Sequence, residues 1–182
     1  MYEIFMDDTL NLLLTKTADT NRYLTLSVMN TKWSFAPLFR FIRYDANEAL
    51  DAFAEHCTIN KVVISLAKLG SNHKHVVART TTGRILAHIC TTLGGQAIHQ
   101  LHNSNKQKDS KDTLKVLVHC ASHLMCDGSL DVRQEAKKIF LLLMEDQDDN
   151  NFEALLQSCV PMSTIQKIRK QLDNLSKHKT LS

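Results

Sequence analysis

The chain has 182 residues, of which 43% are apolar and 23% are charged, and its formal net charge is +3. This balance is typical of a globular protein and excludes an intrinsically disordered one. A net charge this small does not favour a dedicated nucleic-acid-binding protein, so we expect no nucleic-acid partner. Only five glycines and two prolines are present. A β-sandwich or barrel with many tight turns is therefore disfavoured, and the composition predicts an all-α fold.

The N-terminal segment and the cysteines indicate a cellular compartment. Residues 1–8 are acidic and lack the basic segment of a secretory signal, and no apolar run is long enough to span a membrane. The five cysteines are an odd number and fall mostly within apolar helical patterns. This favours reduced thiols in the cytosol. We expect no membrane partner and a cytoplasmic location.

Apolar residues recur at helical spacing through most of the chain. The pattern predicts helices over 4–17, 41–56, 59–69, 76–93, 96–102, 113–125, 130–145, 152–158 and 163–176. Residues 103–111 have no apolar side chain and are predicted to form a solvated loop. Residues 177–182 are predicted to be a flexible tail, so the domain would occupy residues 1–176. Most of these helices form antiparallel pairs joined by short polar turns.

An internal repeat marks the second helix of three pairs. Each copy has an arginine followed three residues later by a small residue: Arg43 and Ala46, Arg79 and Thr82, Arg133 and Ala136. A period of about 36–40 residues with two helices per unit is typical of a HEAT-type α-solenoid. The small residue would let neighbouring helices approach closely. The arginine would bond a carboxylate or carbonyl of the adjacent unit, since it is a poor partner for the helix dipole at that end.

Four segments, in their order along the chain, carry a resemblance to a known family. They are Ala18–Arg22 followed by Phe41–Phe53, His73–Thr81, Asp127–Arg133 with Lys137 and Lys138, and Phe152–Leu156 followed by Val160 and Pro161. They are similar to the last three of six HEAT units, and to the closing segment, of a TOG domain of the crescerin family, the TOG-array regulators of axonemal microtubules. The resemblance covers about residues 8–22 and 41–176 and implies a partial TOG domain.

The chain departs from the family pattern at residues 23–40. In that pattern Arg22 would be followed at once by Phe41, whereas 18 residues intervene here. Arg22 and Arg40 can both be encoded by AGG, and residues 34–40 can be encoded by a pyrimidine-rich stretch ending in AG. We therefore interpret residues 23–40 as an insertion, either a retained intron or an alternative exon. The segment carries the chain's tryptophan, to which we assign no binding role.

The resemblance implies a binding function. TOG domains bind αβ-tubulin through the turns that join the two helices of each unit, so the resemblance implies αβ-tubulin or microtubules as partner, and a cytoskeletal, ciliary or axonemal location. Stacked units place successive turns along one edge, where basic side chains would attract acidic tubulin. The candidate tubulin-binding residues are Asn21, Arg22, Arg43, Asn72, His73, Lys74, His75, Asp127, Gly128 and Ser129. An ordinary solvated role for these turn residues is the alternative.

Other kinds of site have weak support in the sequence. His119 and His123 have the spacing of a helical metal-ligand pair, but Cys120 points elsewhere on the helix and no second Cys/His cluster completes a tetrahedral site. No P-loop or nucleophile-elbow motif is present. We therefore expect no cofactor, no metal and no enzymatic activity.

Two further functions and one association remain open. The chain could be a general HEAT scaffold that holds another protein in an apolar groove, or a truncated splice product with impaired tubulin binding. If the parent domain has six units, the helix at 4–17 would expose an apolar face that a preceding unit normally covers. This predicts self-association through the uncapped N-terminal end.

Overall fold

The computed structural model describes residues 2–18, 36–94, 113–145 and 149–179. In these ranges the chain forms eight α-helices and no strand. The helices are α1 (Tyr2–Thr17), α2 (Ala36–His56), α3 (Ile59–Gly70), α4 (Val76–Leu93), α5 (Thr113–Met125), α6 (Leu130–Glu145), α7 (Asp149–Cys159) and α8 (Met162–Lys179). The all-α prediction is confirmed. The helix predicted at 96–102 and the loop predicted at 103–111 lie outside the described residues.

The helices stack in two layers. Helices α1, α3, α5 and α7 contact one another in sequence and form one layer, while α2, α4, α6 and α8 form the other. Each odd-numbered helix also contacts the helix that follows it in the chain. The result is an α-solenoid of four antiparallel pairs, in which α7 and α8 continue the pattern as the last pair.

Buried side chains from both layers form a continuous core. Phe140 of α6 is fully buried and meets Phe152 of α7 edge to face, with 6.2 Å between ring centroids. The small residues of the repeat, Ala46, Thr82 and Ala136, are all buried. Their burial confirms that the small position of the repeat faces the neighbouring helices.

Polar contacts link the first two pairs in both layers. In the first layer, the Lys68 ammonium of α3 lies 2.8 Å from an Asp7 carboxylate oxygen of α1, and the Ser65 hydroxyl donates to the other oxygen at 2.6 Å. In the second layer, Arg84 of α4 pairs with Asp51 of α2 at 2.7 Å. These links connect adjacent units at the surface, where an exposed ion pair contributes at most about 1 kcal/mol.

The helix bounds differ from the predicted ones by three or more residues at three places: the start of α2, the start of α7 (at Asp149, where residue 152 was predicted) and the end of α8. Helix α2 begins at Ala36, so residues 36–40 of the predicted insertion are helical, while residues 23–35 lie outside the described part. Pro37 is tolerated as the second residue of this helix because the first turn needs no backbone N–H donor. Helix α8 continues to Lys179, into the segment predicted to be a flexible tail.

The first pair exposes part of its apolar surface. Helix α1 buries Leu10 and Leu14, but Leu12 is 59% exposed, and Tyr44 of α2 is 66% exposed. The predicted self-association through this end stays a prediction. Within the described ranges, none of the helices combines the length and apolar character needed to cross a membrane.

Candidate protein-binding edge

The turn between α3 and α4 presents a short polar loop. The Ser71 hydroxyl donates to the Ala67 carbonyl at 2.6 Å and closes the end of α3. The backbone N–H of His75 donates to Nδ1 of His73 at 3.2 Å. Burial of the His73 ring, together with the nearby charges of His75 and Lys74, lowers the pKa of His73. A neutral ring is required for this hydrogen bond, because Nδ1 must accept.

The turn between α5 and α6 is closed by an aspartate. Oδ1 of Asp127 accepts the backbone N–H of Ser129 at 2.8 Å, an arrangement that satisfies a donor just before α6 begins. Gly128 is exposed, and a Cβ placed there would meet no atom within 4 Å. The geometry of this turn therefore depends on the side chain of Asp127 and not on the glycine.

Arg79 joins the two turns. Its Nη1 donates to the backbone carbonyls of His73 at 2.8 Å and Lys74 at 3.3 Å. Its Nε and Nη2 donate to the two carboxylate oxygens of Asp127 at 2.6 Å and 3.3 Å. One guanidinium thus fixes the backbone of its own turn and the side chain of the next. The predicted bonding of this arginine to an adjacent unit is confirmed.

Arg133 has the same local role, but it contacts no carboxylate in the part of the next unit that the structure describes. Its Nη1 donates to the carbonyls of Asp127 at 2.7 Å and Gly128 at 2.9 Å, six and five residues before it, as Arg79 does in the preceding turn. The following turn consists of Val160 and Pro161, which offer no carboxylate. The inter-unit bond predicted for this arginine is therefore replaced by bonds within its own turn.

The carboxyl group of Asp127 is held in its ionised form. Burial alone would raise the pKa of Asp127, but the hydrogen bonds from Arg79 and from the Ser129 backbone outweigh it, and the pKa is lowered from its ordinary value. The Asp127 side chain is only 9% exposed. Its oxygens are thus engaged inside the structure. An aspartate two residues before the cap position of a helix is the sequence signal for this turn, in which the side chain accepts a backbone N–H two residues further on.

The first turn is described only in part. Asn21 and Arg22 lie outside the described residues. Arg43 is half-buried and is the eighth residue of α2, whereas Arg79 and Arg133 are each the fourth residue of their helices. Because α2 starts one helical turn earlier than the repeat predicts, Arg43 lies further from the helix end than the other two arginines.

The structure thus brings together two of the three predicted turns. Asn72, Lys74, His75 and Gly128 are exposed there, His73 and Ser129 are half-buried, and Asp127 faces inward. These residues form what we call the turn edge, residues 72–75 and 127–129. It presents a lysine and an amide to solvent on a backbone held from behind by Arg79. Such a surface can bind an acidic protein by charge and hydrogen bonding.

The residues considered for a metal site differ in their exposure to solvent. Cys120 is buried in the core, whereas His119, His123 and Cys126 are exposed. Burial raises the pKa of the Cys120 thiol to about 12, and that of Cys90 to about 12 as well. Both thiols are therefore protonated at neutral pH and pack as small apolar groups.

Comparison with known proteins agrees with this architecture. Over 135 residues, 74% of its length, the chain is 30% identical to TOG array regulator of axonemal microtubules protein 1 of Mus musculus, and it spans 7% of that relative's length. No family model and no solved structure matches the chain. The matched stretch and the two-layered helical fold both fit a TOG domain, and the chain is a homologue of a segment of the crescerin proteins, the TOG-array regulators of axonemal microtubules.

Proposed function

We propose that the chain is a non-enzymatic module that binds αβ-tubulin or microtubules and takes part in microtubule assembly, at the ciliary axoneme. One observation carries the proposal: Arg79 binds both turns, so the exposed Asn72 and Lys74 stand on a single fixed edge. The name of the related mouse protein supports a microtubule partner. The mechanism is electrostatic capture of an acidic surface by this edge, without a chemical step.

Within this proposal the residues of the turn edge have different roles. Lys74, Asn72 and His75 are exposed and would contact the partner. Asp127 would position the edge, because its carboxylate oxygens are bound to Arg79 and to the Ser129 backbone. Tubulin contact by Asn21, Arg22 and Arg43 stays a prediction.

Reversing the charge of Lys74 tests the proposal. We expect Lys74→Glu to weaken tubulin binding about tenfold at low salt, because charge reversal on an exposed binding edge slows association and adds repulsion. Binding is measured by fluorescence anisotropy of the labelled chain titrated with unpolymerised αβ-tubulin, at two salt concentrations.

A matched variant controls for general loss of positive charge. Lys61→Glu makes the same change at an exposed residue near the start of α3, at the opposite end of that helix from the turn edge, and should leave the affinity near that of the wild type. Equal affinities of the Lys74→Glu variant and the wild type, with both folded by circular dichroism, would contradict the assignment of the turn edge.

A general protein-interaction scaffold is the second candidate function. A scaffold would hold its partner in an apolar groove away from the turn edge. An open groove of about 520 Å³ on the first layer includes the apolar side chains of Ile64, Ala67 and Val116, although Asn72 of the turn edge also lines it. If tubulin binding were sensitive to Val116→Asp and not to Lys74→Glu, this groove and not the turn edge would be the binding surface.

A further inference from the structure

A second open groove lies in the other layer, between α6 and α8 and beside the turn at 126–129. Its volume is about 550 Å³. Three cationic side chains line it: Arg133 and Lys137 of α6 and Lys167 of α8. Leu130, which is 55% exposed, adds apolar surface, whereas Met125 behind it is fully buried. The groove thus combines concentrated positive charge with an accessible apolar side chain.

The positive charge of this groove is poorly compensated. Arg133 and Lys137 are four residues apart and therefore lie on the same face of α6. Lys137 and Lys167 make no hydrogen bond or ion pair with any part of the chain that the structure describes. The adjacent lysine differs, since Lys138 binds both carboxylate oxygens of Glu135 at 2.8 Å.

The carboxylate that lines the groove does not neutralise it. Asp127 contributes to the wall, but its oxygens accept hydrogen bonds from Arg79 and from the Ser129 backbone. Arg133 uses Nη1 for the carbonyls of Asp127 and Gly128, which leaves the other guanidinium N–H groups available. Donors from three cations can therefore reach a ligand in the groove.

The shape and chemistry of the groove select the kind of ligand. A volume of about 550 Å³ is within the usual range of small binding sites, and it suits a few residues of extended peptide. Nucleic acid would use the cations and leave Leu130 without a role. A peptide with carboxylate side chains around one apolar residue uses both the cations and Leu130.

We propose that the groove between α6 and α8 binds an acidic, extended segment of a partner protein. Carboxylates of the segment pair with Arg133, Lys137 and Lys167, while an apolar side chain packs beside Leu130. This site is separate from the contact residues of the turn edge, and it requires no tubulin for its test. A failure of this inference and a failure of the proposed function are thus distinguishable.

The test is fluorescence anisotropy with a labelled peptide that carries four glutamates around a central leucine. We expect saturable binding to the full chain, weakened about tenfold by the combined variant Lys137→Glu/Lys167→Glu. Lys137→Gln/Lys167→Gln removes the charges without adding acidic groups and should also weaken binding. Lys61→Glu, at an exposed residue of α3 in the other layer, should have little effect. Circular dichroism checks that each variant is folded.

Four results would overturn the inference. The first is no saturable binding of the acidic peptide, and the second is equal binding of a peptide with glutamines in place of glutamates. The third is a loss for Lys61→Glu as large as that for the groove variants. The fourth is displacement of the peptide by an oligonucleotide more readily than by unlabelled peptide. The last would assign the groove to phosphate-rich polymers.

Discussion

The variant Asp127→Ala is expected to lower the free energy of unfolding by about 1.5–3 kcal/mol, the range measured for hydrogen bonds to charged groups. The substitution removes both bonds to Arg79 and the bond to the Ser129 backbone. It also leaves a guanidinium that is only 21% exposed without its carboxylate. Loss of a partner costs more than the pair contributes, because the remaining charge stays partly desolvated.

Urea unfolding followed by circular dichroism measures this effect. Asp45→Ala is the matched control, because Asp45 is an exposed aspartate of α2 and should change the stability by no more than about 0.5 kcal/mol. A double-mutant cycle with Arg79→Ala should show coupling between the two residues. A stability of Asp127→Ala equal to that of Asp45→Ala would refute the link between the turns.

The contribution of Asp127 should also appear in the pH dependence of the stability. The pKa of Asp127 is lowered below its ordinary value of 3.8 in the folded chain. Its stabilising contribution is therefore fully present above the unfolded-state value and is lost as the pH falls through the folded-state value. We expect the wild type to lose stability below about pH 4 more steeply than Asp127→Ala. The pKa values of Asp7 and Glu153 are lowered too, so the variant should retain part of the dependence.

The second large effect is expected at Gly70, the last residue of α3. A Cβ at this position would collide with the side chain of Thr82, which is fully buried in α4 and donates a hydrogen bond to the Ala78 carbonyl at 2.9 Å. Gly70→Ala should destabilise the chain by about 2 kcal/mol, because the cost of displacing a packed side chain exceeds the gain in helix propensity. Thermal and urea unfolding report the change.

Gly128→Ala is the control for this substitution. It makes the same chemical change where a Cβ would meet no atom within 4 Å, so the stability should stay close to that of the wild type. A Gly70→Ala variant as stable as Gly128→Ala would show that α3 and α4 do not approach as closely as the structure indicates.

The helical architecture could be predicted from the sequence wherever apolar periodicity ends in a clear stop signal. Helix α4 begins and ends as predicted, since a polar turn precedes it and Gly94 follows. Helix α6 also has the predicted bounds. The start of α2 was predicted five residues late, at residue 41 and not at Ala36, because residues 23–40 were interpreted as an insertion and not as a helix start.

That an arginine links adjacent units could be predicted from the sequence, but the residue that it contacts could not. The recurrence of Arg79 in the repeat indicated a partner in an adjacent unit, but the partner itself, Asp127, is 48 residues further along the chain. No local spacing connects such a pair. The same holds for the groove between α6 and α8, because Lys137 and Lys167 come together only through the stacking of the second layer.

The central claim is that the turn edge of this solenoid binds tubulin. Size-exclusion chromatography of the purified wild-type chain with unpolymerised αβ-tubulin, at low and at moderate salt, tests it most directly. We predict a co-eluting peak at low salt that diminishes as the salt concentration rises, since exposed charges are screened. Separate elution of a folded chain and tubulin at both salt concentrations would contradict the claim.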